Sequence, residues 1–408
     1  MSVWTDLRER GFHQQCTDEA ALEARTAEGP VTGYIGFDPT ADSFHVGHLI
    51  PLMALVHFQR GGQRPIALLG GGTAMIGDPT GKNEMRRMLT EEELDRNLQA
   101  LGRQLGRLLR FEGPDGAILA NNADWLREWR YIDFLREIGV HFSVNRMLTF
   151  ETFKTRMETG LSFLEFNYPL LQSYDFLELH RRHGCLVQMG GDDQWANIVS
   201  GVDLVRRVAR AQVFGWTFPL LTTASGAKMG KTERGAVWLD PHKTSPLEYY
   251  KYWLNIDDRD VAKCLGLFTL LPLEEVRRLS ALKDADLRKA KEVLAFETTK
   301  LVHGEEEARR AERSERSVFA MGSAEGVSAD ATTAVSLAAP VELAEIMTRV
   351  GLAKSKSEVR RKIKEGGVRV NDDRISDPEL MLTRAHAVNG YIMLWLGKKH
   401  YHRIEVKD

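Results

Sequence analysis

The sequence contains few cysteines, no long apolar run and almost no net charge. Its three cysteines, at positions 16, 185 and 264, are too far apart for a disulfide framework or a cysteine-based metal site. No apolar run approaches the roughly 20 residues of a membrane-spanning helix, and residues 1–16 carry charges where a secretory signal would be apolar. A net charge of −2 gives the whole chain no general attraction for nucleic acid. We therefore expect a protein of the reducing cytoplasm.

The composition is that of a globular chain with more than one domain. Of its 408 residues, 43% are hydrophobic and 27% are charged, so apolar material for a core is ample and disorder or a fibrous repeat is excluded. At roughly 100–200 residues per domain, the length allows two to four domains.

Charge is distributed unevenly along the chain. Residues 341–408 hold 14 lysines and arginines against 10 acidic residues, a net charge of +4, which leaves −6 for residues 1–340. A small basic segment attached to an acidic body is typical of an RNA-binding appendage, although a solvated basic face would give the same imbalance.

The hydrophobic pattern divides the chain into four blocks. Residues 1–220 alternate short apolar runs with helical periodicity, which predicts an α/β domain with a parallel sheet and right-handed crossovers. Residues 221–322 contain a Gly/Lys loop followed by helical patterns. Residues 323–340 are mostly small and favour a linker, and residues 341–408 mix helical and strand-like runs, as in a small α+β domain.

The segment GYIGFDPTADSFHVGHLI (33–50) places two histidines, His45 and His48, just after a predicted strand. Nucleotides bind where a strand of a parallel sheet passes into a helix, because backbone N–H groups and the helix dipole attract phosphate. We expect the helix to begin near His45, so that both imidazoles lie on its first turn and donate hydrogen bonds to polyphosphate. Ordinary surface or core histidines and a zinc site are the alternatives, and the latter lacks a completing cysteine or carboxylate.

A second motif, SGAKMGKTERG (225–235), contains Lys228 and Lys231 within a glycine-flanked loop. A mobile basic loop of this kind can close over a triphosphate and stabilise developing charge, although many Gly/Lys loops are simply solvated. The spacing is not that of a Walker A loop.

A polar stripe follows one face of the helix predicted around residue 170. Tyr168, Gln172 and Asp175 stand at positions i, i+4 and i+7, among apolar neighbours. Buried polar side chains need partners, so the stripe predicts either a ligand pocket or an internal hydrogen-bond network.

HVGH followed by KMGKT resembles the paired signatures of class I aminoacyl-tRNA synthetases. The flanking segments YIGFDPTADSFHVGH, GDPTGK (77–82), NYPLLQSYDF (167–176) and GGDDQWANI (190–198) are similar to those of bacterial tyrosyl-tRNA synthetases, over nearly the whole chain. The resemblance implies a Rossmann-like catalytic domain, a helical domain and a small RNA-binding domain. It also implies activation of L-tyrosine by ATP to tyrosyl-adenylate and pyrophosphate, then transfer of tyrosine to the 3′ end of tRNA(Tyr).

The resemblance also implies which residues bind each substrate. Those around the amino acid are Tyr34, Asp78, Tyr168, Gln172, Asp175 and Gln188. Those around ATP are Gly36, Asp38, Gly47, Asp193, Gln194 and Lys231, and the catalytic set is Thr40, His45, His48, Lys228 and Lys231. Tyr34 and Asp175 are expected to hydrogen-bond the phenol hydroxyl of the substrate. Mg²⁺ is expected to accompany ATP, and no protein metal site is expected.

Three positions depart from the family pattern. Gly230 replaces the serine of the consensus KMSKS, which is expected to lose a hydroxyl contact and add flexibility. Pro51 is expected to cost a backbone hydrogen bond early in the helix after HVGH. Asp192 stands where relatives often carry serine, and the sequence assigns it no role.

The C-terminal block resembles a small RNA-binding module of a ribosomal protein. Its cationic side chains are expected to contact tRNA phosphates, and they are Lys354, Lys356, Arg360, Arg361 and Lys364. The segment VRVNDDRI predicts a tight hairpin. The family forms homodimers through the region of residues 135–148, so a homodimer is expected.

Three other functions remain as alternatives. Tryptophanyl-tRNA synthetases share both signatures but lack the C-terminal module. Small adenylyltransferases have a similar histidine pair on a much shorter chain. The third alternative is an inactive RNA-binding protein on a synthetase scaffold, which the intact pair of signature motifs disfavours.

Overall fold

The computed structural model describes residues 2–78, 80, 89–113, 115–224, 226, 229–232, 235–320, 332–337, 339–371, 373–388, 390–397 and 400–407. The chain forms two compact units. One consists of Met1–Ser245 and Tyr252–His303, and the other of Pro246–Lys251 and Gly304–Asp408. Residues Tyr252–His303 therefore belong to the same unit as the N-terminal sheet. The finer division of the chain at residues 220 and 322 stays a prediction.

A six-stranded sheet forms the centre of the first unit, in the order β1-β6-β5-β2-β3-β4. Its strands are β1 (Gln15–Cys16), β2 (Thr32–Phe37), β3 (Arg64–Leu69), β4 (Ile118–Asn121), β5 (Cys185–Gly191) and β6 (Phe214–Phe218). Strands β2 to β6 pair in parallel and only β1 is antiparallel, so the predicted parallel sheet is confirmed. The apolar runs of β3 and β6 are buried almost throughout, as expected for strands covered by helices on both faces.

Helices connect and cover these strands. They are α1 (Val3–Arg10), α2 (Glu19–Ala27), α3 (Leu49–Arg60), α4 (Glu91–Leu108), α5 (Ala123–Leu126), α6 (Tyr131–Glu137), α7 (Val144–Met147), α8 (Glu151–Thr159), α9 (Phe163–Phe166), α10 (Tyr168–His183) and α11 (Trp195–Val208). Helix α4 begins with a capping box, since Thr90 accepts from the backbone N–H of Glu93 and the Glu93 carboxylate accepts from that of Thr90.

The start of α3 differs from the sequence-based expectation. Residues Val46–His48 form a 3₁₀ turn, and the α-helix begins only at Leu49. Pro51 is therefore the third helical residue, where the backbone N–H would have no partner within the helix. No hydrogen bond is lost within α3 itself, and the expected cost of a backbone hydrogen bond at Pro51 stays a prediction.

The remaining elements of the first unit follow β6. A two-stranded ribbon, β7 (Lys231–Thr232) and β8 (Gly235–Ala236), precedes the helices α12 (Pro246–Leu254), α13 (Val261–Phe268), α14 (Leu273–Ser280) and α15 (Leu287–His303). Helix α12 contributes its first six residues to the second unit. Among the described residues, none of the helices is long and apolar enough to span a membrane.

The second unit contains a five-stranded sheet in the order β12-β11-β14-β15-β9. Its elements are α16 (Glu305–Ala320), β9 (Thr332–Ser336), β10 (Val341–Glu342), α17 (Leu343–Arg349), α18 (Lys356–Lys364), β11 (Val368–Val370), β12 (Asp373–Arg374), β13 (Met381–Leu382), β14 (Tyr391–Leu396) and β15 (His400–Lys407). Its core includes Val359, Ile363, Leu394 and Ile404. Strands β11 and β12 form the predicted hairpin.

Part of the predicted linker is a strand. Residues 332–336 form β9, which pairs in parallel with β15 from Arg403 to Lys407. The β-branched residues of the segment TTAVS favour extended structure, and Val335 is buried in the core of this unit. The rest of the predicted linker up to residue 331 lies outside the described residues.

Candidate active site

A cavity of about 350 Å³ lies at the carboxyl ends of β2 and β5. This is the edge of a parallel sheet at which ligands bind. Most of the site residues named from the sequence line it: Tyr34, Gly36, Asp38, Thr40, Gly47, His48, Asp78, Tyr168, Gln172, Asp175, Gln188, Asp193 and Gln194. Pro51 also lines the cavity, although no ATP role was assigned to it from the sequence.

Two buried polar atoms at the inner end of the cavity have no hydrogen-bond partner among the described residues. They are the hydroxyl of Tyr34 and Oε1 of Gln188, in side chains that are 1% and 2% exposed. Burial, together with the nearby carboxyl group of Asp175, raises the pKa of Tyr34 well above its usual value, so the hydroxyl keeps its proton. Buried polar groups in proteins normally have partners, so these two indicate a polar ligand.

Asp175 is held by two donors that the sequence did not identify. Nδ2 of Asn122 donates to Oδ2 over 2.9 Å, and Nε1 of Trp125 donates to Oδ1 over 2.8 Å. Burial raises the pKa of Asp175 to about 7, with a further contribution from Asp38, while the two donors oppose the rise. The segment NNADW directly after β4 was the available signal, because side chains that follow a parallel strand reach this edge of the sheet.

The polar stripe on α10 takes part in a hydrogen-bond network. The Tyr168 hydroxyl donates to Oδ2 of Asp38 over 3.3 Å, and Asn197 donates to Oε1 of Gln172 over 3.2 Å. Thr73, also absent from the sequence-based set, donates to Oδ1 of Asp38. The internal network that the sequence left as an alternative is therefore present, and it lies in the wall of a cavity.

A second network joins the turn after β5 to the turn after β3. Nε2 of Gln194 donates to Oδ2 of Asp78 over 2.9 Å, and Nδ2 of Asn197 donates to Oε1 of Gln194 over 3.0 Å. Asp78 also accepts from the backbone N–H of Thr80. Its carboxylate is thus held at the cavity wall by groups from two separate segments.

The rings of His45 and His48 pack against each other at the 3₁₀ turn, with centroids 4.0 Å apart and planes inclined by 42°. Nδ1 of His45 accepts from the backbone N–H of Gly47, and Nδ1 of His48 accepts from that of His45. In neutral rings the proton therefore sits on Nε2 of each imidazole. That tautomer supplies an N–H donor, which is the role the sequence analysis expected.

Backbone hydrogen bonds join the first signature segment to the residues that directly follow the second one. Val46 donates to the carbonyl of Val237 over 2.9 Å, and Leu239 donates to that of Phe44 over 2.8 Å. Gly230 has a φ of +86°, and a Cβ there would lie 2.9 Å from the backbone nitrogen of Gly47. Close approach and backbone conformation therefore both favour glycine at position 230, and the expected flexibility stays a prediction.

The two lysines of the second motif are placed only in part. Lys228 lies outside the described residues. The backbone of Lys231 opens β7, directly after Gly230, and its side chain is not described. Among the described residues, no three metal-ligating side chains are grouped in a way that could hold an ion.

Comparison with known proteins agrees with this geometry. Residues 26–320 match the sequence model of the family "tRNA synthetases class I (W and Y)", and residues 324–404 match the "Tyrosine--tRNA ligase SYY-like C-terminal domain". The tyrosine–tRNA ligases of Clostridium botulinum and Caldanaerobacter subterraneus are each 52% identical to this chain, with all of both chains covered. The chain belongs to the tyrosyl-tRNA synthetases.

A solved synthetase structure is also similar. A C-terminally truncated mitochondrial tyrosyl-tRNA synthetase from Aspergillus nidulans superimposes with a TM-score of 0.70 at 32% identity, covering 78% of this chain and 94% of that one. The assignment to the bacterial tyrosyl-tRNA synthetases, made from the signature motifs, is thus confirmed. So is the class I fold with a C-terminal α+β domain.

The five cations predicted to contact tRNA fall into two groups in this synthetase. Lys356 and Arg360 form ion pairs with the carboxylates of Glu342, Glu345 and Glu379. Lys354, Arg361 and Lys364 are exposed, and Arg361 lies within 3.8 Å of Glu365. The fold therefore neutralises part of the basic cluster.

A large apolar surface lies on the catalytic unit away from the cavity described above. Five of its side chains are exposed, and they are Tyr131, Ile132, Val140, Val144 and Phe163. Several surround a groove of about 570 Å³ between α6 and α9. Exposed apolar patches of this kind mark interaction surfaces.

Proposed function

We propose that this chain activates L-tyrosine with ATP, releasing pyrophosphate, and transfers the tyrosyl group to the 3′ end of tRNA(Tyr). We further propose that the cavity bounded by β2, β5 and α10 carries out both steps. The observation that carries the proposal is the grouping of Tyr34, Asp175 and Gln188 at its buried end, because two of these side chains present polar atoms that lack a partner.

Tyrosine would bind with its ring at this buried end. Its phenol hydroxyl would donate to Asp175 and accept from Tyr34, which supplies the missing partner. The α-ammonium group requires oxygen acceptors, and the cavity offers them at Asp78, Tyr168 and Gln172. A phenylalanine side chain would leave the buried hydroxyl of Tyr34 unpaired, so tyrosine is preferred.

ATP would occupy the outer part of the cavity, beside the two signature segments. We assign the ribose to Asp193 and the phosphates to Thr40, His45 and His48, with Gly36 and Gly47 allowing the nucleotide to approach the backbone. Asp38 and Gln194 would hold neighbouring groups in place through their hydrogen bonds. Lys228 and Lys231 would contribute positive charge to the departing pyrophosphate.

The chemistry needs orientation and charge stabilisation. The tyrosine carboxylate attacks the α-phosphorus of ATP, the new acyl–phosphate bond forms, and pyrophosphate leaves. Because a carboxylate is already a nucleophile, no general base is required. The family uses ATP, and we propose that Mg²⁺ arrives bound to the phosphates, where it neutralises charge.

Since the three cysteines are free thiols, we propose the cytoplasm as the location.

Pyrophosphate exchange with tyrosine, tryptophan and phenylalanine in parallel tests this function. We expect exchange that depends on tyrosine alone. Preference for tryptophan would overturn the roles of Tyr34 and Asp175 and favour the tryptophanyl alternative. Absence of exchange, with tRNA binding retained, would favour an inactive RNA-binding scaffold. The variant Asp175→Ala is the matched negative control, because it removes the acceptor while leaving the ATP side intact.

We also propose that the chain forms a homodimer through the apolar surface around α6 and α9. The support is the exposure of Val140 and Phe163, at 70% and 68%, beside the groove. Val140→Asp combined with Phe163→Asp is expected to give a monomer in sedimentation analysis. Leu119→Asp, at an exposed apolar position of the edge strand β4, is the control and should leave the dimer intact. A wild-type monomer would contradict the proposal.

A further inference from the structure

Asp192 lies in the turn that leaves β5, directly before two residues that line the cavity. The turn Asp192–Gln194 is a single 3₁₀ turn, and Asp193 and Gln194 both face the proposed ATP site. Asp192 itself is not among the lining residues, and its carboxylate contacts Gln15 and Thr217 instead. It is also one of the three positions at which this chain departs from the family pattern, and the catalytic roles above leave it unused.

The carboxylate of Asp192 connects this turn to the neighbouring strands β6 and β1. Oδ1 accepts from Nε2 of Gln15 over 2.7 Å and from the Thr217 hydroxyl over 3.0 Å. Thr217 is fully buried, and its hydroxyl also accepts from the backbone N–H of Gln15 over 3.1 Å. Asp192, Gln15 and Thr217 therefore form a closed hydrogen-bonded group, to which Gln15 contributes both its side-chain amide and its backbone N–H. We call this group the Asp192 anchor.

The Asp192 anchor joins three neighbouring strands at the end that carries the site. Thr217 lies in β6, opposite Gly190 of β5 and Gln15 of β1. The last residues of β5 are Gly190 and Gly191, which lack side chains to fix their path, so the backbone leading into the turn depends on other contacts. A charged acceptor makes stronger hydrogen bonds than a neutral one, so an aspartate holds the two donors more firmly than a serine would.

We propose that Asp192 is a positioning residue for nucleotide binding. Through the anchor it fixes the 3₁₀ turn, and the turn fixes Asp193 and Gln194 against the ribose side of ATP. The proposal rests on the function assigned above, and it predicts that changes at Asp192 affect ATP and leave tyrosine binding nearly unchanged. The ligands of the tyrosine phenol, Tyr34 and Asp175, lie on β2 and α10, outside the turn. Asp78, a proposed acceptor for the α-ammonium group, is held by Gln194, so tyrosine binding should change much less than ATP binding.

The test uses the full-length protein and compares Asp192→Ala with Asp192→Asn. For each, the dissociation constants of ATP and of tyrosine are measured by calorimetry, and the KM values for both by pyrophosphate exchange. We expect Asp192→Ala to weaken ATP binding about tenfold, or about 1.4 kcal/mol, with the tyrosine constants changed less than twofold. Asp192→Asn keeps an acceptor oxygen for Gln15 and Thr217, so it should recover most of the loss.

A distant variant provides an independent check. Gln15→Ala, on β1, is expected to weaken ATP binding in the same direction, and the double variant Gln15→Ala, Asp192→Ala should be no weaker than Asp192→Ala alone. Non-additivity of this kind indicates that the two residues act as one group. Asp203→Ala on α11 removes a carboxylate that pairs with Arg146 and Arg206, and serves as the matched control with unchanged constants.

The outcomes distinguish the positioning role of Asp192 from the proposed synthetase function. An unchanged ATP constant in Asp192→Ala, or equal losses for ATP and tyrosine, would overturn the positioning role. Weakened ATP binding by Asp192→Ala in a protein without exchange activity would support the positioning role and overturn the proposed function. Failure of the wild-type protein to bind ATP would overturn both. If Asp192→Ala does not fold, the comparison of Asp192→Asn and Gln15→Ala with the wild type decides.

Discussion

The backbone N–H of Gly230 donates a hydrogen bond of 3.0 Å to the hydroxyl of Tyr252. The carbonyl of Gly230 accepts from the backbone N–H of Val237, so both backbone polar groups of this glycine are used. Burial raises the pKa of Tyr252 to about 12, which keeps its hydroxyl protonated at any working pH. The second signature segment is thus fixed against α12 on one side and against the HVGH segment on the other.

We predict that Gly230→Ser, which restores the class consensus, lowers the activity of this chain. A serine would have to adopt a φ of +86° and would bring its Cβ to 2.9 Å from the backbone nitrogen of Gly47. Because the neighbouring atom belongs to the backbone, it cannot shift without distorting the HVGH segment. A residue held in a strained conformation of this kind destabilises the folded state by about 1–3 kcal/mol. The expected loss in the rate of pyrophosphate exchange is about tenfold or more.

Two variants separate strain at this position from loss of its hydrogen bond. Tyr252→Phe removes the acceptor of the Gly230 N–H without introducing a Cβ, and should lower the exchange rate less than Gly230→Ser does. Neither variant should change the dissociation constant of tyrosine. An exchange rate in Gly230→Ser equal to that of the wild type would show that the backbone conformation at position 230 is not required.

Tyr34→Phe is predicted to have opposite effects on stability and on specificity. The hydroxyl of Tyr34 is buried without a partner in the free protein, which costs about 1–3 kcal/mol, so its removal should leave the unfolding temperature unchanged or raised. The same change should weaken tyrosine binding but not phenylalanine binding. Discrimination between tyrosine and phenylalanine therefore falls. A site built to hydrogen-bond a substrate hydroxyl rejects the analogue that lacks it, and this enzyme class is itself the standard example.

Tyr174→Phe is the matched control for this prediction. The hydroxyl of Tyr174 lies on α10 and donates to Glu178 over 3.1 Å, so its removal breaks a bond that is already made. It should lower the unfolding temperature slightly and leave discrimination unchanged. Calorimetry and exchange kinetics with both amino acids measure the two effects, and a fall in stability of Tyr34→Phe would contradict the prediction.

Tyrosine binding is predicted to strengthen as the pH rises through neutrality. The folded protein holds the pKa of Asp175 at about 7, and the phenol hydroxyl of tyrosine donates to the ionised form. A group with that pKa is about one-tenth ionised at pH 6 and about nine-tenths ionised at pH 8. The dissociation constant of tyrosine should therefore fall about tenfold between these two values.

Asp175→Asn provides the control for the pH dependence. An amide does not titrate, so the variant should bind tyrosine weakly and with the same constant at pH 6 and pH 8. Calorimetric titrations in buffers of equal ionic strength measure both proteins. A wild-type constant that does not change with pH would mean that Asp175 is already ionised at pH 6.

The sequence predicted the architecture well because its signals are local. Alternating strand and helix periods gave the parallel sheet, and two histidines three residues apart on a turn are adjacent in almost any helical geometry. The parts that it missed depend on contacts between distant segments. Asn122 and Trp125 hold Asp175 across about 50 residues of sequence, and the need for glycine at position 230 arises from the approach of Gly47.

Strand β9 was missed for the same reason. Its composition of small residues is typical of a linker, and it becomes a strand because β15, about 70 residues later, supplies a parallel partner. The role of Asp192 likewise became visible only when Gln15 and Thr217 were found beside it. Residue type and spacing therefore identify which groups line the cavity, and tertiary contacts identify which groups hold those side chains in place.

The C-terminal cations are predicted to differ in whether they contribute to tRNA binding or to the stability of the unit. Lys354 and Lys364 are exposed and Arg361 is two-thirds exposed, so these three are available to tRNA phosphates. Replacing all three by glutamine should weaken tRNA binding and reduce the slope of log affinity against log salt by about 2, since each lost phosphate contact removes about 0.7–0.9. Pyrophosphate exchange, which needs no tRNA, should not change.

Arg360→Gln is the contrasting variant. Its guanidinium pairs with Glu342 over 2.8 Å and with Glu379 over 3.3 Å, so its loss leaves the largely buried Glu342 carboxylate with fewer partners. We expect Arg360→Gln to lower the unfolding temperature of the C-terminal unit while changing the salt slope little, because ion-paired cations contribute less to counterion release. Filter binding of tRNA between roughly 50 and 200 mM salt measures the salt slope, and calorimetry measures the unfolding temperature. Equal slopes for the triple variant and the wild type would show that the exposed cations do not meet tRNA, and a large change of slope in Arg360→Gln alone would reverse the assignment of the two groups.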